Sequence, residues 1–198
     1  FTDWFSEEAK RTYGKTIPST ISGRRIITIK QSIGVCGLIT PWNFPAAMIT
    51  RKVAPALAAG CPVVIKPAAS TPYTATALVE LADRAGIPKG VINLLSVSEN
   101  NVADVGDELC TNQDIRKISF TGSTNVGKKL IAKSATTIKK VSMELGGHAP
   151  FIVFEDANLD EAVTGAMANK YRNSGQVCVS ANRIYVHKSI YDEYQFTF

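Results

Sequence analysis

From Gly34 onward, short apolar runs alternate with longer stretches of helical spacing. Val35–Ile39, Pro62–Ile65, Gly90–Leu95, Ile115–Phe120 and Lys140–Met143 read as strands. Residues 46–59, 74–85, 102–109 and 126–135 read as the helices between them, the first two closed by Gly60 and by Gly86 with Pro88. Strands of roughly four to six residues alternating with helices of about a dozen predict βαβ units. The expected fold is therefore α/β, a Rossmann-like parallel sheet with helices on both faces. Ahead of it lie an amphipathic helical pattern from Phe1 and an extended arm or hairpin over 16–33, centred on Ile26–Ile29. After Glu144 a second pattern begins: strand Phe151–Phe154, helix 159–172, strand Asn182–Val186. It predicts a boundary between 1–144 and 145–198, with the later part the beginning of a second α/β domain. Phe1 opens, and Phe198 stops, within a helical pattern without a cap, so both ends read as cut.

In sheets of this kind ligands bind beyond the carboxyl ends of the strands. Those ends are Thr40–Pro45, Lys66–Ser70, Thr121–Thr124 and Glu144–Gly147, and the polar and conformationally special residues gather there.

Composition narrows the class. The chain is 45% hydrophobic, 20% charged and 8% aromatic, which suits a globular protein with a true core. Lys and Arg number 22 against 17 Asp and Glu, a formal charge of +5. The cations are scattered, in pairs such as Arg51-Lys52, Lys128-Lys129 and Lys139-Lys140, without the interleaved aromatics of a nucleic-acid surface. No nucleic-acid partner is expected, and the mild positive field suits an anionic substrate or cofactor. No apolar run approaches the ~20 residues that cross a bilayer, so no membrane association is expected. Cys36, Cys61, Cys110 and Cys178 are widely separated, with no C-x-x-C pair. That spacing speaks against a zinc site or a disulfide framework and for a reducing compartment, the cytoplasm or the mitochondrial matrix.

Four places carry candidate chemistry. Gly122–Lys129 follows a strand and opens a helix, but Lys129 stands where a phosphate loop needs the hydroxyl that holds Mg²⁺. What remains is a helix start with small residues and free N–H groups, suited to a pyrophosphate or serving only as a turn. Cys178 sits in the polar loop 173–182, whereas Cys36 and Cys61 sit in apolar runs. It is the candidate nucleophile, because the reactive thiolate needs donors nearby. Glu144 ends a strand ahead of Gly146 and Gly147, as a movable general base or a solvated strand-end charge. Asn43, between Trp42 and Phe44-Pro45, offers either an amide donor for an oxyanion or an Asx-turn residue.

Taken together, the motifs resemble the aldehyde dehydrogenase superfamily along the whole chain. The matching signatures are Pro41-Trp-Asn-Phe-Pro45, Lys66-Pro67, Phe120-Thr-Gly-Ser-Thr124 with Gly127, Met143-Glu-Leu-Gly-Gly147 and Gly175-Gln-Val-Cys178. Met48–Lys52 and Lys170–Gln176 are most similar to the succinate-semialdehyde branch. The resemblance implies that residues 1–144 bind a dinucleotide and that 145–198 begin a catalytic domain. It implies attack by Cys178 on the aldehyde to give a thiohemiacetal and then a thioester, an oxyanion held by Asn43 and the Cys178 N–H, and hydrolysis assisted by Glu144. It places NAD or NADP on Trp42, Asn43, Lys66, Ala69, Ser70, Gly122, Ser123 and Leu145. Arg51 and Arg172 would grip the distal carboxylate of succinic semialdehyde. It implies no metal, and a homo-oligomer of two or four full-length chains. Alternatives are a relative with another aldehyde substrate, or an inactive fragment that only binds dinucleotide. Two departures stand out: Ala69 occupies the position where NAD-preferring relatives often carry Glu, and Ser180 the position of a second Cys in some.

Overall fold

The computed structural model describes residues 1–197. In chain order its elements begin with α1 (Thr2–Glu8), β1 (Lys15–Ile17), β2 (Ile26–Thr28), β3 (Val35–Ile39), α2 (Pro45–Ala58), β4 (Val63–Lys66), α3 (Pro72–Arg84) and β5 (Ile92–Leu94). They continue with α4 (Val102–Thr111), β6 (Ile115–Thr121), α5 (Thr124–Ser134), β7 (Lys140–Glu144), β8 (Ala149–Val153), α6 (Leu159–Tyr171), β9 (Ala181–Val186) and α7 (Tyr191–Thr197). These elements form two compact units, Phe1–Glu144 and Leu145–Phe198.

The first unit is built on a parallel five-stranded sheet in the order β5-β4-β3-β6-β7. The chain builds outward from β3 through β4 to β5, then returns to β3 and lays β6 and β7 on its other side. Strand order therefore reverses between β3 and β6, and such a reversal opens a crevice at their carboxyl ends. Side-chain alternation along β3 separates two cores. Cys36 and Leu38 join Ile49 of α2, Val63 and Ile65 of β4 and Ala75 of α3 in one cluster. Gly37 faces the other way, toward Leu109 of α4 and Ile118 of β6. A Cβ on Gly37 would lie 2.8 Å from Ile118 Cδ1, so the glycine makes room for a fully buried isoleucine. Ile118→Ala should cost about 2–5 kcal/mol, read as a lowered denaturant midpoint at unchanged m-value.

Several boundaries differ from the sequence pattern for identifiable reasons. α2 starts at Pro45, whose fixed φ and missing N–H suit the first helical position, and it runs through Pro55 without ending. β5 starts only at Ile92, because Gly90 is in the left-handed region at φ +84° and belongs to the turn. The arm is an antiparallel hairpin of β1 and β2, pairing Lys15 with Thr28 and Ile17 with Ile26, and every residue of both strands is exposed.

In the second unit β8 and β9 pair in parallel, Phe151 opposite Ile184, with α6 between them in the chain. The Asn158 side chain caps α6, accepting from the Glu161 N–H at 3.2 Å. Asp160 and Glu161 in the first turn complement the helix dipole. The helix ends at Tyr171 rather than at 172, since left-handed residues follow almost at once.

Candidate functional site

Two strand ends flank the crevice of the first unit. Thr40 and Thr121, at the carboxyl ends of β3 and β6, bury hydroxyls that make no hydrogen bond among the described residues. A buried hydroxyl left so costs about 1–3 kcal/mol, which a bound polar group can offset. Beyond β3 the chain presents exposed Trp42 and half-buried Asn43 before Pro45 starts α2. Past β6, Gly122 has no room for a side chain: a Cβ would fall 2.4 Å from the Phe120 ring. Ser123 then caps α5, its side chain accepting from the Val126 N–H at 3.4 Å. Orphaned hydroxyls, a glycine cradle and a helix start together fit a pyrophosphate.

At the end of β4, Lys66 is 5% exposed, and its Nζ donates to the Pro67 carbonyl at 3.0 Å. Burial holds its pKa below the ordinary lysine value. Next to it Ala69 lines a hollow of about 260 Å³ together with Pro67, Ser96 and Ser98. Ser70 is exposed and lies outside that wall. Ser96 and Ser98 belong to no motif; the signal that could have found them is their place just after a parallel strand, β5.

The larger cavity, about 510 Å³, lies between α2 and the sheet. Arg51 and Lys52 enter it from α2, Lys117, Ser119 and Thr121 from β6, and Ser142 and Glu144 from β7. Period-two alternation puts the three β6 residues on one face, and the register sets Ser119 beside Ser142 and Thr121 beside Glu144. Parallel sheets are normally apolar on both faces, so this polar strip is a departure. Lys52 Nζ donates to Ser119 Oγ at 2.9 Å, and Lys117 Nζ to Ser142 Oγ at 2.6 Å. Burial, then repulsion from Arg51, pushes Lys52 down to about 8 despite the opposing pull of Glu144. The Arg51 guanidinium also lies 5.1 Å from the centroid of the Phe1 ring. At the far end Cys36 and Cys61, distant in sequence, are neighbours, because Cys61 lies two residues ahead of Val63, the strand partner of Cys36. Burial, with the Cys61 thiol adding to it, pushes Cys36 up to about 11.

In the second unit Asn173, Ser174 and Gly175 all take positive φ, at 50°, 57° and 76°. Two of them are not glycine, and strain of this kind collects at functional sites. The sequence signals for this run are Asn173 and Gly175, the two residue types that most readily turn left-handed after a helix. A turn follows, closed by the Ser180 N–H on the Val177 carbonyl at 3.1 Å, with Cys178 inside it. Asn169 of α6 braces the loop, accepting from the Ala181 N–H at 2.7 Å and donating to the Val179 carbonyl at 3.4 Å. A Cβ on Gly147 would come within 3.3 Å of the Cys178 carbonyl, so the glycine lets the two segments approach. Cys178 is half-buried, whereas Cys36, Cys61 and Cys110 are buried. Arg172 is exposed just past the end of α6, and Leu145, the first residue of this unit, is half-buried.

The structure thus brings Arg51 and Glu144 to one cavity, and Trp42, Asn43, Gly122 and Ser123 to the ends of adjacent strands. Cys178, Arg172 and Leu145 belong to the second unit. Among the described residues, no group of three or more His, Cys, Asp or Glu is placed to hold a metal, and no helix is long and apolar enough to cross a membrane.

Comparison with known proteins matches residues 1–197 to the aldehyde dehydrogenase family. The chain belongs to that family. The glutarate-semialdehyde dehydrogenase of Pseudomonas aeruginosa is 61% identical over 194 residues, covering 98% of this chain and 40% of that protein. The NADP-dependent succinate-semialdehyde dehydrogenase of Escherichia coli is 59% identical, and the human mitochondrial succinate-semialdehyde dehydrogenase 57%, with 98% of this chain covered in both and 40% and 36% of the relatives. The crystal structure of an NADP-dependent enzyme from Escherichia coli superimposes with a TM-score of 0.95 at 58% identity, over 98% of this chain and 40% of that one. The chain therefore spans about 40% of the length of these relatives.

Proposed function

We propose that these residues serve the oxidation of an aldehyde that carries a distal carboxylate, succinic semialdehyde foremost, with NAD or NADP as acceptor. The observation that carries this reading is that Arg51 and Glu144 line one cavity. It pairs a cation suited to bidentate binding of a carboxylate with a carboxylate suited to moving a proton. Cys178 is the nucleophile: its thiolate adds to the aldehyde carbon, giving a thiohemiacetal and, after oxidation, a thioester. The Asn43 amide and the Cys178 N–H hold the oxygen that gains charge. Glu144 then takes a proton from the water that cleaves the thioester. A dinucleotide held by Trp42, Asn43, Lys66, Ala69, Ser70, Gly122, Ser123 and Leu145 supplies the hydride acceptor. Two of the relatives are glutarate-semialdehyde dehydrogenases by name and six are succinate-semialdehyde dehydrogenases, so the length of the substrate is the finer question. The test is reduction of NAD(P) by an enzyme containing this chain. Succinic or glutaric semialdehyde should exceed butanal in kcat/KM by more than tenfold; equal values would leave an aldehyde dehydrogenase of different substrate.

NADP should be at least tolerated beside NAD, because Ala69 supplies no carboxylate to repel a 2′-phosphate. Ala69→Glu should lower kcat/KM for NADP by tenfold or more and leave that for NAD within a few-fold, which steady-state kinetics with each dinucleotide would show.

The exposed isoleucines of the arm, Ile17, Ile26, Ile27 and Ile29, support assembly of the whole enzyme as a homo-oligomer, a dimer or tetramer. Four free cysteines support a reducing compartment, the cytoplasm or the mitochondrial matrix.

A further inference from the structure

The cavity under α2 contains a group that the oxidation does not use. Lys52 reaches from α2 to β6, where its Nζ donates to Ser119 Oγ at 2.9 Å. The groups around it are Arg51 on its own helix, Lys117 on β6, Glu144 on β7, and the thiols of Cys36 and Cys61 at the far end. Three cations thus share the cavity with one carboxylate. An amine becomes a nucleophile when it sheds its proton, and partial desolvation beside another cation favours that form. Burial and the neighbouring Arg51 push Lys52 down to about 8, which favours the neutral amine relative to an ordinary lysine. The same walls provide an anchor for an anion in Arg51 and Lys117, and a proton carrier in Glu144.

We infer that Lys52 is an imine-forming site for aldehydes that carry an anionic group. The neutral Nζ adds to the carbonyl carbon, forming the N–C bond while the carbonyl π electrons move to oxygen. Protons passed to that oxygen, for which Glu144 is the nearby carrier, let it leave as water. One amine and one aldehyde give one imine and one water, with no oxidant or reductant, and the step reverses on dilution. The class of aldehyde rests on the proposed function; the reactivity of the amine does not.

The experiment incubates the protein at pH 7 with succinic semialdehyde and sodium cyanoborohydride, which reduces the imine to a stable secondary amine, and maps the peptides with time. Lys52 should be modified at least tenfold faster than the exposed Lys89 and Lys128. Propanal, which lacks the anion, should modify it at least tenfold more slowly, and Arg51→Gln should abolish that difference. Lys52→Arg keeps the cation and should remove the fast-labelled site while leaving the circular dichroism unchanged. Equal labelling of Lys52, Lys89 and Lys128, or equal rates with the two aldehydes, would overturn the inference. NAD(P) reduction measured without cyanoborohydride reports on the proposed oxidation separately, so trapping without oxidation sinks only that reading, and oxidation without trapping sinks only this one.

Discussion

If Cys178 is the nucleophile, as proposed, replacing it with alanine should lower kcat for aldehyde oxidation by about 10⁴-fold or more in an enzyme containing this chain, since the acyl intermediate would then lose the sulfur that carries it. Brief treatment of the folded protein with iodoacetamide should modify Cys178 well before the other three cysteines. Cys36, Cys61 and Cys110 are 2%, 4% and 0% exposed, and burial raises the pKa of Cys36 and Cys110, which leaves less thiolate to react. Cys178 is only half-buried, in a turn held by Asn169 and Ser180. Peptide mapping after partial alkylation would check this, and preferential labelling of any of the other three would remove Cys178 as the nucleophile. Activity retained by Cys178→Ala would do the same.

Arg51→Ala should raise KM for succinic semialdehyde by about 2–4 kcal/mol of lost binding, roughly 30- to 1000-fold, through loss of charge-assisted hydrogen bonds to the substrate carboxylate. Arg172→Ala should act in the same direction. For an uncharged aliphatic aldehyde kcat/KM should stay nearly unchanged or improve, because the guanidinium then has no anion to bind. Comparison of the two substrates in each variant separates recognition from folding: a structural arginine would lower both equally. Arg51 has the firmer basis, since it lines the cavity that Glu144 also lines, whereas Arg172 is exposed in its unit. Arg51→Lys would rescue only in part, as an ammonium lacks the planar fork that matches a carboxylate.

The alternation of apolar runs and helical stretches was sufficient to read the five strands of the main sheet and its helices, because strand length, helix length and the glycines between them are local properties. Cys178 as the odd thiol, set in a polar loop, was legible for the same reason. So was the carboxyl end of each strand, where Asn43, Lys66, Ser123 and Glu144 cluster. The motifs also sufficed to identify the family, since each is a short run of neighbouring residues.

Tertiary structure alone decided what depends on strand order and register. Nothing local says that β6 returns to the far side of β3, yet that reversal creates the crevice between Thr40 and Thr121. The pairing of Thr121 with Glu144, and of Ser119 with Ser142, turned two separate stretches into one polar wall facing Arg51 and Lys52. The lowered pKa of Lys52, the contact of Cys36 with Cys61, and the hollow that joins Ala69 to Ser96 and Ser98 all arise between residues far apart in the chain. The left-handed run at Asn173 and Ser174 is another such decision: asparagine tolerates that conformation, but serine rarely adopts it without surroundings that enforce it. Local sequence determines which elements form and which residues sit at their ends, because propensity and periodicity act over a few residues. Which of those ends meet is set by burial summed over the whole sheet, and only the folded chain contains that sum.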